Sequence, residues 1–296
     1  MIMETPRKLD RVKIAYFSGT GSTSRVADTL EKELIERGIS VIKLEIRAEN
    51  IFSDNEEDLL IMLFAVHAFN APGAVYKWID NLPDSNRSVP AAVISVSGGG
   101  EMTPNTACRV SSIRKLEKKN YTVVYENMVV MPSNWVVKTN DGLAIRLLEI
   151  LPLKVKRIAD DLLSGAVRRT RPKLVDRIFS KMGETEKKGA RFFGQKIRVN
   201  RNCNGCGWCE KSCPANNIRI LNNMPVFGRE CFLCLRCIYG CPNNALEAGT
   251  FKFIILKDGY NLKDIEKRVK DVKPAPVESL AKGYIWKGVR EYLLEG

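Results

Sequence analysis

The stretch V12-K-I-A-Y-F-S18-G-T-G-S-T23 sets the architecture of the N-terminal half. Val12–Phe17 is a short apolar run of strand type. Thr23–Arg37 then carries Val26, Leu30 and Leu34 at helical spacing, with Gly38 as the stop. Between strand and helix, Gly19 and Gly21 allow a tight turn and close backbone approach to a ligand. Ser18, Thr20, Ser22 and Thr23 supply hydroxyls, and the helix start adds free N–H groups and the positive end of its dipole. The loop has no lysine, which excludes a nucleoside-triphosphate site of the G-x4-G-K type, and it lacks the G-x-G-x-x-G dinucleotide fingerprint. What remains is a hydroxyl-rich pocket suited to a phosphate monoester.

Outward from this loop the pattern continues as strand and helix in alternation. Ser40–Ile46 alternates like a half-buried strand, and Leu59–Val66 is apolar throughout, as a central strand covered on both faces would be. The turn-rich H67-A-F-N-A-P-G73 precedes a short helix ending near Leu82, and Ala91–Val96 opens into S97-G-G-G100. Asn105–Lys119 reads as helix, Tyr121–Val130 as strand and Gly142–Leu163 as helix. Five such units imply an α/β fold, a parallel sheet with helices on both faces.

The segment 11–165 resembles flavodoxins, whose first loop reads S/T-x-T-G-x-T and binds the phosphate of FMN. The resemblance implies a flavodoxin-like doubly wound parallel sheet of strand order 2-1-3-4-5, with FMN at the carboxyl ends of strands one, three and four. Carried onto this chain, Ser18, Gly19, Thr20, Gly21, Ser22 and Thr23 hold the phosphate. His67, Ala68, Phe69 and Asn70, with Ser97, Gly98, Gly99 and Gly100, flank the isoalloxazine. Phe69, Tyr76 and Trp135 are the aromatic candidates for stacking on the ring, and His67, the only histidine, is a candidate neighbour of it. The chain departs from the family at Ser22, where flavodoxins commonly carry asparagine, and in being basic where flavodoxins tend to be acidic.

Eight of the nine cysteines fall between Cys203 and Cys241, in the runs C203-N-G-C206-G-W-C209-E-K-S-C213-P and C231-F-L-C234-L-R-C237-I-Y-G-C241-P. Each is C-x2-C-x2-C-x3-C-P, and the register repeats at an offset of 28 residues, extending into C213-P-A-N-N-I218 and C241-P-N-N-A-L246. Such clustering points to metal rather than a disulfide framework. A zinc ribbon built from paired C-x2-C units leaves the third cysteine of each run and both Cys-Pro endings without a role. In runs of this type, the fourth thiolate reaches the cluster held mainly by the other repeat. One [4Fe–4S] cluster is therefore expected on Cys203, Cys206, Cys209 and Cys241, and a second on Cys231, Cys234, Cys237 and Cys213. The segment I218-R-I-L-N-N-M-P-V-F227 reads as a hairpin between the repeats. Across about 50 residues the region resembles bacterial two-cluster ferredoxins, an α+β module. Cys108, apart from the rest, reads as a small buried side chain.

The expected organisation is a flavodoxin-like FMN-binding domain over 1–165, a basic linker over 166–198, a two-cluster module over 199–250 and a helical extension over 251–296. Phe251–Leu256 is expected as a strand, and two helices near 262–272 and 279–294 flank the K273-P-A-P276 break. The 296 residues carry a formal charge of +13, which two oxidised clusters at about −2 each and a flavin phosphate reduce to roughly +7. That surface would steer the chain toward acidic partners. A nucleic-acid-binding arm at R168-R-T-R171 finds no base-reading motif beside it, so no nucleic-acid partner is expected. The first apolar run is too short for a signal core and the longest, Leu59–Val66, too short to span a bilayer, so cytoplasmic location without membrane insertion is expected. The order of the two modules resembles ferredoxin–flavodoxin fusion proteins of the EFR1 type. That resemblance implies electron transfer among FMN, two clusters and a protein partner, with a flavin-dependent reductase of a small molecule as the alternative.

Overall fold

Alternation of buried side chains along the strands decides the layers. The computed structural model describes residues 9–51, 56–269 and 273–295. Strands β1 (Arg11–Phe17), β2 (Ser40–Glu45), β3 (Leu59–Ala65), β4 (Val89–Ser97) and β5 (Tyr121–Val130) pair in parallel in the order β2-β1-β3-β4-β5. On one face Val12 and Ile14 join Ile61, Leu63, Ala92 and Ile94 under helices α1 (Ser22–Glu36) and α4 (Asp141–Leu163). On the other, Ala15, Phe17, Leu60, Met62, Phe64, Ala91 and Val93 lie under α2 (Gly73–Asn81) and α3 (Val110–Lys118). A one-residue register slip would turn each of these side chains to the opposite layer, so the pairing is strongly specified. The parallel sheet with helices on both faces is flavodoxin-like in strand order.

The segment expected as a linker begins by pairing with the edge of the sheet. The backbone of Arg168 donates to Val124 O at 3.0 Å and accepts from Glu126 N at 2.7 Å, which caps the open edge of β5. Helices α5 (Leu174–Gly183) and α6 (Glu186–Lys196) follow. The cysteine region comprises β6 (Arg198–Val199), α7 (Trp208–Ser212), the hairpin β7 (Ile218–Leu221) and β8 (Met224–Phe227), α8 (Arg236–Tyr239) and β9 (Leu246–Glu247). Strands β6 and β9 pair antiparallel and close the module's two ends against each other. Its apolar residues Ile218, Phe232, Leu233 and Ile238 join the same core as α2 and α3.

Two expectations about the chain's later part need correction. Phe251–Leu256 is not a strand: Gly249–Ile254 is a 3-10 turn, a shape that brings Phe251 against Phe192 and Phe193 of α6 at 5.8 and 5.5 Å between ring centres. The helix near 262–272 runs as α9 (Leu262–Val269), and 270–272 lie outside the described residues. The helix expected over 279–294 is split, because Gly283 sits at φ +80°; it becomes α10 (Val277–Leu280), a 3-10 turn at Tyr284–Trp286 and α11 (Lys287–Leu294). Earlier, Asn105–Lys119 divides into a 3-10 turn (Asn105–Ala107) and α3. The C-terminal segment returns to the α1/α4 face, burying Leu256, Tyr260, Leu262 and Ile265 there.

Candidate functional site

At the carboxyl ends of β1, β3 and β4 lies a cavity of about 510 Å³, within the range of cofactor sites. Ser18, Gly19, Thr20, Ser22 and Thr23 line it from the first loop, His67, Ala68 and Phe69 from the second, and Ser97, Gly98 and Gly99 from the third. The first loop is braced by residues distant from it in the chain. Ser22 Oγ lies 2.7 Å from the Tyr260 hydroxyl, which donates to Pro132 O at 2.9 Å, and Asn134 Nδ2 donates to Thr20 Oγ1 at 2.7 Å. Burial pushes the Tyr260 hydroxyl up to about 12, so it keeps its proton for that bond at neutral pH. Thr23 is 1% exposed and its Oγ1 has no hydrogen-bond partner. A buried hydroxyl left unpaired on a cavity wall is costly unless a ligand oxygen meets it. The residues of this wall therefore fit a phosphate at a helix start.

Four of the expected residues do not line the cavity. Gly21 forms the turn itself, at φ +102°. Asn70 is 2% exposed and turns toward α5, where its Oδ1 accepts from Ser180 Oγ at 2.6 Å and from the Tyr76 hydroxyl at 3.4 Å. Tyr76 is thereby buried and does not face the cavity. Gly100 packs against the backbone of Gly288, where a Cβ would come within 2.6 Å. Phe69 and Trp135 do line it, as do Glu186, Ile285 and Trp286 from later segments. His67 holds its ring edge-on to Phe17 and places Nδ1 3.5 Å from Glu186 Oε1. Nothing in the local sequence signals these later contributors, since they reach the cavity only through the fold.

In the cysteine region the 28-residue repeat is written into the backbone. Gly205 and Gly207 are left-handed, and so are Leu233 and Leu235 at the matching positions; Asn216 and Asn244 form a third matched pair. Leucine at such φ is strained. Here both side chains are buried, at 7% and 3% exposure, and both line the cavity. Backbone N–H groups donate to sulfur at equivalent points too: Asn217 N to Cys213 Sγ at 3.4 Å and Ala245 N to Cys241 Sγ at 3.3 Å.

Cys203, Cys206, Cys209 and Cys241 line one small cavity of their own. Burial, and then the neighbours Cys234, Cys231 and Cys213, push the Cys237 thiol well above its ordinary value; burial pushes Cys231 up to about 12. Among the described residues no three His, Cys, Asp or Glu side chains converge on a single-ion site. A cubane takes one thiolate at each of its irons, and the N–H groups aimed at Cys213 and Cys241 fit sulfur bound to a cluster. Cys108 stays apart, fully buried with its thiol raised by burial, as an inert core residue.

The two regions meet at the first loop. A Cβ on Gly19 would stand 2.2 Å from the carbonyl oxygen of Cys234, so only glycine permits the contact. Arg236, between Cys234 and Cys237, donates from Nε to Gly19 O at 3.1 Å and from Nη1 to Ser212 O at 3.1 Å; its Nη2 reaches Ser18 O and Glu45. One guanidinium therefore ties the first loop to both cysteine runs. The sequence offered a cue, a charged residue set inside an otherwise apolar cysteine loop where the first repeat has Trp208. Gly19→Ala is expected to lower stability by about 1–3 kcal/mol in thermal unfolding. Gly189→Ala, in α6 with open space around its Cα, is the control and is expected to be neutral or slightly stabilising.

No protein-family model matches the chain, and no curated protein matches it. Among solved structures, a flavodoxin of Streptococcus pneumonia TIGR4 is 16% identical, covering 53% of this chain and 99% of its own, with a TM-score of 0.40. Oxidised flavodoxin 2 of Bacillus cereus is 16% identical over 52% of this chain and 97% of its own, at 0.39. A flavodoxin from the domain Archaea is 14% identical over 51% and 98%, at 0.37. The strand order and parallel pairing, rather than these likenesses, establish residues 11–163 as a flavodoxin-like sheet layered between helices.

Proposed function

We propose that the chain is an electron-transfer iron–sulfur flavoprotein, similar to ferredoxin–flavodoxin fusion proteins, with FMN in the large cavity and two [4Fe–4S] clusters on the eight clustered cysteines. The observation that carries this reading is the shared wall: Leu233, Cys234 and Leu235 of the second cysteine loop line the same cavity as the hydroxyl-rich first loop. When bound, FMN exchanges electrons singly or in pairs, while each cubane carries one. Ser18, Thr20 and Thr23 would hold the phosphate with the start of α1, and His67–Phe69 and Ser97–Gly99 would border the ring. Leu233 and Leu235 keep water from the wall between the cavity and the second cysteine set. Of the first set, Cys206 is exposed. That end of the module is therefore the approach surface proposed for a protein partner, with acidic groups suited to the chain's net charge of +13.

Anaerobic purification with reconstitution, followed by metal and flavin analysis, is expected to give about eight irons and one releasable FMN per chain. Zinc without iron, or a colourless protein, would overturn the reading. A small-molecule reductase is a second reading, favoured by the apolar rim of Val137, Ile285 and Trp286 around the cavity. It predicts saturable turnover with one small molecule in place of reoxidation by protein acceptors alone.

A further inference from the structure

Helix α5, L174-V-D-R-I-F-S-K-M-G183, is packed inside out. Its polar residues Asp176 and Ser180 are buried, at 0% and 5% exposure, while Leu174, Val175, Ile178, Phe179 and Met182 are 77%, 46%, 56%, 37% and 63% exposed. The polar side is what fastens the helix to the fold. Asp176 accepts from the hydroxyls of Thr106 and Thr103, Ser180 bonds Asn70, and Gly183 sits where a Cβ would meet Ala68 O. Five apolar side chains on one arc of about 140° therefore form a convex ridge toward solvent. Along its flank and its N-terminal approach stand Arg171, Lys173, Arg177 and Lys181, all exposed and without ion-pair partners among the described residues.

We propose that this ridge docks the protein onto an anionic phospholipid surface. A convex apolar strip needs a matching groove in a protein partner, but it enters the headgroup boundary of a bilayer without one. The unpaired cations beside it complement lipid phosphates. Facing a second copy of the chain, antiparallel α5 helices would bring the Arg177 and Lys181 flanks together, like charge against like. Among the described residues no helix is long and apolar enough to cross a membrane, so the attachment is to the surface. None of the ridge residues lines the cavity or belongs to the cysteine set, and the single link to the cavity wall among the described ring contacts is Phe179, edge-on to Phe69 at 5.8 Å between ring centres.

The test is flotation of the full chain with extruded vesicles, either pure phosphatidylcholine or with about one-third phosphatidylglycerol, at low and physiological salt. Binding is expected on the anionic vesicles and to weaken with salt. Arg177→Glu with Lys181→Glu is expected to lower partitioning on anionic vesicles by at least about 25-fold, roughly fivefold for each cation lost. Ile178→Asp with Met182→Asp is expected to abolish binding, with far-UV circular dichroism and thermal midpoint unchanged. Should the apolar pair unfold the chain, the charge pair alone decides. Absence of anionic-vesicle binding by the unaltered chain, or binding unchanged in the charge pair, would overturn the proposal. So would a dimer that the apolar pair dissociates while vesicle binding persists, or an acidic protein held at the ridge in the absence of lipid affinity.

Discussion

Arg109→Met is expected to lower the unfolding free energy by about 3 kcal/mol, because it strands a buried carboxylate. The Arg109 side chain is fully buried. Its Nε donates to Glu126 Oε2 at 3.1 Å, Nη1 to Ser95 Oγ at 2.7 Å and to Asn127 O at 3.3 Å, and Nη2 to Thr170 Oγ1 at 2.7 Å and to Glu101. Methionine fills similar volume but supplies none of these donors, and Glu126 is itself only 3% exposed. Arg169 holds the other oxygen of Glu126 at 2.8 Å, which places the loss at the lower end of the range for a broken buried pair, about 3–5 kcal/mol. A fall in thermal midpoint of roughly 6–12 °C should report it. Adding Glu126→Gln to the same chain is expected to recover part of that loss, since no buried charge then remains uncompensated. An unchanged midpoint in the single variant would mean that the network contributes no net stability.

Arg236→Gln is the second large effect. It is expected to raise the FMN dissociation constant by at least about tenfold and to cost about 2–3 kcal/mol of stability, the scale of lost hydrogen bonds from a charged donor. Glutamine reaches at most one of the carbonyls of Ser18, Gly19 and Ser212 that Arg236 now serves. Released from its backing, the first loop no longer presents its N–H groups and hydroxyls in one geometry. Arg236→Lys keeps the charge near Glu45 but not the planar fork, so an intermediate affinity is expected. Flavin fluorescence titration on cluster-loaded protein, beside thermal unfolding, separates the two effects. Unaltered flavin affinity in Arg236→Gln would show that the first loop holds its shape without this brace.

What the sequence made legible was periodic. Alternation in Ser40–Ile46 and the apolar runs at Val12 and Leu59 told strand from helix, and the unbroken run at Leu59 told central strand from flanking ones, because burial on two faces leaves no polar position. The 28-residue repeat of cysteines likewise has its counterpart in matched left-handed positions. Less visible were features that depend on which neighbour arrives. The helical periodicity of Leu174, Ile178 and Met182 normally marks a face turned inward, yet Asp176 and Ser180 take the inward side because hydroxyls and an amide wait there. Asn70 was expected beside a ring and is instead occupied by α5. Trp286 and Tyr260 lie far along the chain from the loop they serve, a relation no local pattern encodes. The strand expected at Phe251–Leu256 failed for the same kind of reason: β-type composition is satisfied as well by an aromatic cluster as by a ladder.

The chain passes from the sheet through α5 and α6 into the cysteine module, then returns across the opposite face of the sheet with Leu256, Tyr260 and Ile265 buried there. The module is thus held through the chain on both sides of it. Traffic between the cavity and the thiolates would need no tethered shuttle and no opening stroke, so its pace would be set by distance and driving force, indifferent to the thickness of the surrounding medium.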